Sequence, residues 1–180
     1  MWIAENIAKL FSLKQITSVL DLGAGNGKRS LFSASYGAKV IAIDNQSMPL
    51  WQFPKYLKTH PSITFLQADI RDLNLNFNQS FDLILLFNVI VFLKKKFFLE
   101  QILPYYLEKL NKGGVLCLSF FFDDDPTMSI NQKLSFYVFK DFKLPKGYII
   151  QKQEEKILQD NHIPDGEHEH HVGYVEIMKI

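Results

Sequence analysis

Short apolar runs, most of them closing on a polar side chain, alternate with longer amphipathic stretches along the first two thirds of the chain. Such runs, rich in β-branched and aromatic residues, are typical of buried strands. The predicted strands are residues 18–22, 39–44, 63–68, 81–87 and 115–121. Because helical segments between strands favour parallel pairing with right-handed crossovers, a doubly wound α/β sheet is predicted.

Helical patterns mark the segments between these strands. In residues 2–14 the apolar side chains recur at helical spacing, at Ile3, Ile7, Leu10 and Phe11. Residues 28–37 and 93–110 are also predicted helices, and Pro104 marks a kink or a new start in the second. Residues 45–60 contain two prolines, so a broken helix is predicted there.

The last third of the chain follows a different pattern. Residues 123–126 are turn-like, whereas residues 148–158 and 172–180 are predicted strands. The polar residues 159–171 are predicted to form the loop between the two strands. The chain is therefore expected to end in an antiparallel hairpin.

Residues 19–27, which read Val-Leu-Asp-Leu-Gly-Ala-Gly-Asn-Gly, form the most informative motif. An apolar strand reaches Asp21, and glycines at alternate positions then let the backbone turn sharply and approach a ligand. The helix predicted after the turn points its N-terminus at the same ligand. A dinucleotide-binding turn needs a glycine where this chain has Lys28, so the spacing favours a different nucleoside cofactor.

Polar residues also follow the next strands, at the edge where parallel sheets bind ligands. Asp44 closes the second strand, where a carboxylate can accept ribose hydroxyls; a helix N-cap is the alternative. Asp69 closes the third strand, and its alternative is to cap a turn through Arg71 or Asp72. Asn88 follows the fourth strand.

These motifs, together with the glycine-containing turn at residues 110–116, resemble those of class I S-adenosylmethionine-dependent methyltransferases across residues 17–121. The resemblance implies a Rossmann-like, seven-stranded and mostly parallel sheet that ends in the antiparallel hairpin. It also implies S-adenosyl-L-methionine as the cofactor. The predicted cofactor-binding residues are Asp21, Gly23, Ala24, Gly25, Gly27, Asp44, Asn45, Asp69, Ile70, Phe87 and Asn88.

The same resemblance suggests roles for these residues. Asp21 lies beside the ammonium of the donor's amino-acid part, and Asp69 reaches the adenine amino group. Asn45 and Ile70 are expected to be walls of the adenosine pocket. The two residues after the fourth strand are expected near the transferred methyl group, with ordinary core packing as the alternative for Phe87. The N-terminal helix is expected either to cover the cofactor or to pack on the sheet.

Four of the five histidines lie in residues 162–171. This segment is a polar hairpin loop, a wall of the substrate site with one histidine as general base, or a transition-metal site. In the last case His168 and His170 would point the same way on a strand. The segment also resembles the end of tellurite-resistance-type and related small-molecule methyltransferases. That resemblance favours the substrate wall and makes His168 and His170 the candidate catalytic residues.

Two other features receive structural interpretations. Residues 123–125 are three aspartates that could bind a divalent cation, but a solvated turn closed by Pro126 is favoured, and no metal site is assigned. Cys117 is interpreted as a small core residue.

Residues 88–91 read Asn-Val-Ile-Val and therefore lack the Asn/Asp-Pro-Pro-aromatic motif of enzymes that methylate amide or base nitrogens. This difference argues against that subclass of methyltransferases.

Composition places these motifs in one globular domain. The chain has 180 residues, of which 47% are hydrophobic. Its expected parts are an N-terminal helix (1–14), a cofactor-binding core (15–121) and a substrate-side segment with the hairpin (122–180). The net charge of +1 gives no indication of a nucleic-acid partner. A single cysteine and the lack of a long apolar run favour the cytoplasm, with no membrane partner.

The predicted function is methyl transfer from S-adenosylmethionine to a small-molecule substrate. The short segment before the first strand is expected to leave no room for a further recognition domain, so macromolecular substrates rank lower. The alternatives are a protein or RNA methyltransferase that acts with a partner, and a non-catalytic binding module that keeps the cofactor fold. A nicotinamide dehydrogenase is disfavoured by the glycine spacing.

Overall fold

A computed structural model describes residues 2–45, 60–129, 133–162 and 166–180. Its strands are β1 Ser18–Leu22, β2 Lys39–Asp44, β3 Ile63–Gln67, β4 Phe81–Leu86, β5 Leu110–Phe121, β6 Tyr148–His162 and β7 Gly166–Lys179. They form one seven-stranded sheet in the order β3-β2-β1-β4-β5-β7-β6. The first five strands pair in parallel, and β7 is antiparallel to both β5 and β6. The predicted fold class is therefore confirmed.

The ends of β1 to β4 agree closely with the sequence pattern, whereas β5 is longer than predicted. This strand begins at Leu110 rather than at residue 115, because Leu110 already pairs with Phe81 of β4. A bulge follows, and regular pairing continues from Val115. A Cβ on Gly114 would lie 2.9 Å from the carbonyl oxygens of Phe81 and Asn111. Only glycine therefore lets the bulged backbone pass so close to β4.

The helices flank this sheet. They are α1 Trp2–Leu13, α2 Lys28–Ser35, α3 Lys95–Phe97 and α4 Leu103–Glu108, with a π-turn Phe98–Ile102 between the last two. Pro104 lies in the first turn of α4, so the wide π-turn before it accommodates the missing N–H. Short 3₁₀ turns are Ile90–Phe92, Pro126–Ser129 and Phe139–Asp141. The broken helix predicted over residues 45–60 falls almost entirely outside the described residues.

The C-terminal hairpin is longer than the sequence predicts. The ladder between β6 and β7 runs from the pair Tyr148–Lys179 to the pair His162–Gly166, so the polar loop predicted over residues 159–171 is wrong. Pairing of β5 with β7 stops at Val172, and the end of the hairpin therefore projects beyond the sheet. Backbone hydrogen bonds maintain this projecting ladder, and its side chains can be polar because the sheet does not cover them.

Two apolar layers enclose the sheet. The layer under α1 and α2 includes Ile7, Leu85 and the fully buried Cys117. The opposite layer, under α4, continues into a cluster of aromatic rings around Phe120. The rings of Phe122, Tyr137, Phe139 and Phe142 lie 5.1–5.9 Å from that of Phe120. This cluster accounts for the phenylalanine-rich segment that follows β5.

Asp82 ties three strands together at the end of the sheet opposite the glycine turn. Its Oδ2 accepts hydrogen bonds from the amide and hydroxyl groups of Thr17 and Ser18, and its Oδ1 accepts one from Asn111. Desolvation raises the pKa of Asp82, but these hydrogen bonds outweigh it and hold the pKa below its ordinary value of 3.8. The ionised carboxylate therefore stabilises the fold above that pH.

An Asp82→Asn variant is expected to lose about 2 kcal/mol of unfolding free energy at pH 7. Because the pKa is depressed in the folded state, this contribution is present above the ordinary value of 3.8 and is lost as the pH falls through the folded pKa. Urea unfolding of both proteins at pH 7 and pH 3 measures the effect. The exposed Asp123, changed to Asn, is the control. An equal loss at both pH values would contradict this account.

Candidate active site

The glycine turn between β1 and α2 is held on the end of β2. The amides of Gly23 and Ala24 both donate to the carbonyl of Ile43, at 2.8 and 2.9 Å. Gly23 has φ +70°, and a Cβ there would lie 2.2 Å from Cγ2 of Val89. The turn therefore packs directly against the segment that follows β4, and a residue other than glycine would separate the two.

The next glycine is not covered by any part of the chain that the structure describes. Gly25 has φ +52°, and a Cβ built on it would meet no atom of the described residues within 4 Å. Its amide donates to Oδ2 of Asp44 at 2.8 Å, so the carboxylate at the end of β2 lies against the turn. A carboxylate has lone pairs beyond the one used by this bond, and it can accept further hydroxyl donors. Gly27 closes the turn at φ +72°, and Asn45 is exposed beside Asp44.

The Asp21 side chain is buried between β1 and the start of α2. It is 2% exposed and accepts a hydrogen bond of 2.6 Å from the Ser30 hydroxyl. Desolvation raises the pKa of Asp21, while the Ser30 hydrogen bond and the charge of Arg29 act in the opposite direction. The carboxyl thus connects β1 to the first turn of α2.

The adenine side of the predicted site is shaped by a turn after β3. The Asp69 carboxylate accepts hydrogen bonds from the backbone amide and the guanidinium of Arg71. The Arg71 hydrogen bonds hold the pKa of Asp69 below its usual range. Ile70 is buried, and its carbonyl accepts the Tyr106 hydroxyl at 3.0 Å. The turn-capping alternative for Asp69 is therefore present in the structure.

The residues after β4 differ from each other in exposure. Phe87 is 2% exposed and stacks with Tyr174, as the core interpretation expects. Asn88 is exposed and has φ +57°, a left-handed conformation that asparagine tolerates. The Ser119 hydroxyl fixes it, since it accepts from the Asn88 amide and donates to the Asn88 side-chain oxygen. Asn88 therefore presents a fixed polar group at the edge of the sheet.

A cavity of about 600 Å³ opens beside Asn88, between α1, the start of α2 and the hairpin. Its walls are formed by Trp2, Ile3, Ala4, Ile7, Asn26, Lys28, Arg29, Phe32, Asn88 and Leu158. Most of α1's contribution is apolar, whereas the start of α2 supplies two cations. The helix α1 thus packs on the sheet and also forms one wall of the cavity.

The site residues predicted from the sequence include neither of these cations. Arg29 lies over the Phe87 ring, 4.9 Å from its centroid, and near the Asp21 carboxylate. Burial lowers the pKa of Arg29, and Asp21 opposes that shift. An arginine remains charged even so. The signal was the Lys28–Arg29 pair immediately after the glycine turn.

The two candidate catalytic histidines meet on the projecting end of the hairpin. Nε2 of His168 lies 3.0 Å from Nε2 of His170. His170 is 8% exposed, stacks on Phe121 and places its Nδ1 3.3 Å from the Asp125 carboxylate. Asp125 also accepts the amides of Thr127 and His171, so the predicted turn at residues 123–126 is closed by a buried acid.

Comparison with known proteins identifies the family to which the chain belongs. Residues 19–114, over half of the chain, match the family described as "Methyltransferase domain". No curated protein sequence matches the chain. None of the helices in the described part of the chain is both long and apolar enough to cross a membrane.

Solved structures share the whole fold at low sequence identity. TehB from Haemophilus influenzae has a TM-score of 0.75 at 19% identity, with 98% of this chain and 62% of TehB covered. The N-methyltransferase NodS from Bradyrhizobium japonicum WM9, in complex with S-adenosylhomocysteine, gives 0.73 at 14%, with coverages of 98% and 85%. Magnesium protoporphyrin IX methyltransferase from Synechocystis PCC 6803, with bound S-adenosylmethionine, gives 0.70 at 14%, with coverages of 99% and 79%. This chain thus spans less than two thirds of TehB.

Proposed function

The chain belongs to the methyltransferase-domain family, and on that premise we propose that it transfers a methyl group from S-adenosylmethionine to a small-molecule acceptor. The observation that carries the proposal is the open space over Gly25, with Asp44 at one end and the cavity at the other. S-adenosylmethionine and its product are also the ligands of two structural neighbours.

The residues along the glycine turn fit the two ends of this donor. Asp44 accepts the ribose hydroxyls, and Ile70 with Asn45 borders the adenine side. Asp69 has a smaller role there, because Arg71 already holds its carboxylate. At the other end Lys28 and Arg29 bind the carboxylate of the donor's amino-acid part, since charge-assisted hydrogen bonds favour that pairing. The buried Asp21 positions Arg29 and the start of α2.

The donor supplies a sulfonium methyl that is already electrophilic. The protein's contribution is then mainly to hold the acceptor in line and to exclude water. Asn88 directs its side chain from a backbone that Ser119 fixes, so it can orient an acceptor at the edge of the sheet. A soft or ionised acceptor needs no base, and for a hydroxyl acceptor His168 or His170 is the candidate general base.

The size of the cavity supports a small acceptor. Its volume of about 600 Å³ lies within the usual range of small-molecule sites, and the amino-acid end of the donor takes up part of it. The apolar side chains of α1, with Leu158 of the hairpin, close the side opposite the cations. Such a site selects compact acceptors by shape and supplies few groups that would recognise a long polymer.

The proposal is tested by S-adenosylhomocysteine release from S-adenosylmethionine. Ultrafiltration divides a cell extract into a low-molecular-weight filtrate and a macromolecular retentate, and each is supplied to the purified protein. We expect release with the filtrate, and then with one class of small nucleophile from a panel of thiols, amines and phenols. Release with the retentate alone would contradict a small-molecule acceptor and favour a protein or RNA substrate.

A further inference from the structure

The projecting hairpin places three metal-ligating side chains on one of its faces. His168 and His170 are two residues apart on β7, and Asp160 pairs directly with His168 across the ladder. In strands, alternate residues and directly opposed residues share a face. The ligand atoms of these three side chains all lie within 4.8 Å of one another.

Hydrogen bonds to the other ring nitrogens assign the tautomers. Nδ1 of His168 lies 2.8 Å from the carbonyl oxygen of Gly166, and Nδ1 of His170 faces the Asp125 carboxylate. Carbonyl and carboxylate oxygens only accept hydrogen bonds, so both Nδ1 atoms are donors. In neutral imidazoles the two Nε2 atoms then carry lone pairs, and these atoms lie 3.0 Å apart. Two nitrogen atoms at that distance need a positive charge between their lone pairs, which is either a shared proton or a metal ion that binds both.

We propose that His168, His170 and Asp160 bind a divalent transition-metal ion of the Zn²⁺ class. Two imidazole nitrogens and a carboxylate oxygen are ligands that such ions prefer. A tetrahedral ion holds two nitrogens about 3.3 Å apart, so the rings need to separate by only a few tenths of an ångström.

The surroundings of the site support a metal role. Asp125 receives Nδ1–H of His170, which is the carboxylate–histidine–metal arrangement that orients metal-bound imidazoles. Asp125 is itself held by the Thr127 and His171 amides and is 2% exposed. His170 is further fixed by stacking on Phe121, with ring centroids 4.2 Å apart. One of the three ligands is therefore preorganised.

The ion would lie at the rim of the cavity. Leu158, which lines the cavity, is the partner of His170 across the ladder and lies two residues before Asp160. With three protein ligands a tetrahedral ion keeps one open position. We place an oxygen or nitrogen atom of the acceptor at that position, a step that rests on the proposed function. Because the ion occupies both Nε2 atoms, the general-base role proposed above for His168 or His170 applies only to the metal-free protein.

Metal binding is measured with Zn²⁺ on the chelator-treated chain of 180 residues, in competition with a chromophoric zinc indicator. We expect one equivalent of bound Zn²⁺, with affinity at least 10-fold weaker in His168→Gln and in Asp160→Asn. His171→Gln is the matched control, because His171 points to the other face and binds Asp124 at 2.6 Å. Co²⁺ loading should give the visible absorption of a low-coordinate site in the wild type and not in His168→Gln.

Two results would overturn the metal site. One is the absence of stoichiometric Zn²⁺ binding in the wild type, and the other is an equal loss in His171→Gln and His168→Gln. S-adenosylhomocysteine binding, measured on the same samples, separates this proposal from the proposed function. Binding of Zn²⁺ without binding of S-adenosylhomocysteine would support the metal site and contradict the proposed function. Binding of S-adenosylhomocysteine without binding of Zn²⁺ would support the proposed function and contradict the metal site.

Discussion

Replacing Gly23 with alanine is expected to destabilise the protein by about 3 kcal/mol, the sum of left-handed backbone strain and overpacking. The new Cβ would lie 2.2 Å from Cγ2 of Val89 and 3.3 Å from its Cγ1. The amides of Gly23 and Ala24 would then be pulled from the Ile43 carbonyl, and the turn would move away from β2. For a domain of this size the expected fall in Tm is about 10 °C.

A second substitution separates steric overlap from backbone strain. Val89→Ala removes both Cγ atoms, so that the nearest Val89 atom to a Cβ at position 23 is the Cβ of residue 89, at 3.4 Å. In the Val89→Ala background, Gly23→Ala should therefore cost roughly half of the unfolding free energy that it costs in the wild type. Thermal unfolding of the four proteins measures this coupling. Strictly additive losses would contradict the packing of Gly23 on Val89.

Gly25→Ala provides the contrast. The position has φ +52°, so alanine brings backbone strain there as well, but its Cβ would contact no atom of the described residues within 4 Å. We expect a smaller loss of stability than in Gly23→Ala together with weaker donor binding, because the Cβ occupies the space assigned to the donor.

Replacing Asp44 with alanine is expected to weaken S-adenosylhomocysteine binding about 100-fold. The variant loses charge-assisted hydrogen bonds to the ribose, which together correspond to about 3 kcal/mol. Its effect on the fold should be smaller, about 1 kcal/mol, since the hydrogen bond from the Gly25 amide to this carboxylate lies in an exposed part of the turn. Calorimetric titration and thermal unfolding measure the two effects separately.

Asp69→Ala is the matched comparison on the neighbouring strand end. Its carboxylate is already engaged by Arg71, so the same substitution should change binding only a few-fold. Equal losses of S-adenosylhomocysteine affinity in the two variants would contradict the larger role of Asp44 and the smaller role of Asp69. An unchanged affinity in Asp44→Ala would remove the ribose role altogether.

The central part of the sheet could be predicted because both of its faces are buried. β1 and β2 match the predicted bounds, and their apolar runs are continuous where helices cover the sheet. The edge of the candidate site is predicted from the polar residues at the strand ends, of which Asp44 lies against the glycine turn. These are local features of the sequence, and they were sufficient for the fold and for the proximity of Asp44 to the turn.

Other features depend on contacts that sequence pattern does not record. The hairpin was predicted too short because its projecting end is paired through the backbone while its side chains are polar. Asp125 and His170 meet across 45 positions of the chain, so the buried acid behind the histidine could not be identified from local sequence. The core packing of Phe87, which is the alternative to its place near the methyl group, depends on Tyr174 and Arg29, and both lie far from it along the chain.

Calorimetric titration of the purified protein with S-adenosylhomocysteine, S-adenosylmethionine, NAD and NADP tests the central claim most directly. We expect one equivalent of either S-adenosyl ligand to bind to the wild type and neither nicotinamide dinucleotide to do so. The affinity for S-adenosylhomocysteine should fall about 100-fold in Asp44→Ala. No binding of either S-adenosyl ligand, or selective binding of NAD or NADP, would contradict the assignment of the glycine turn to a methyl donor.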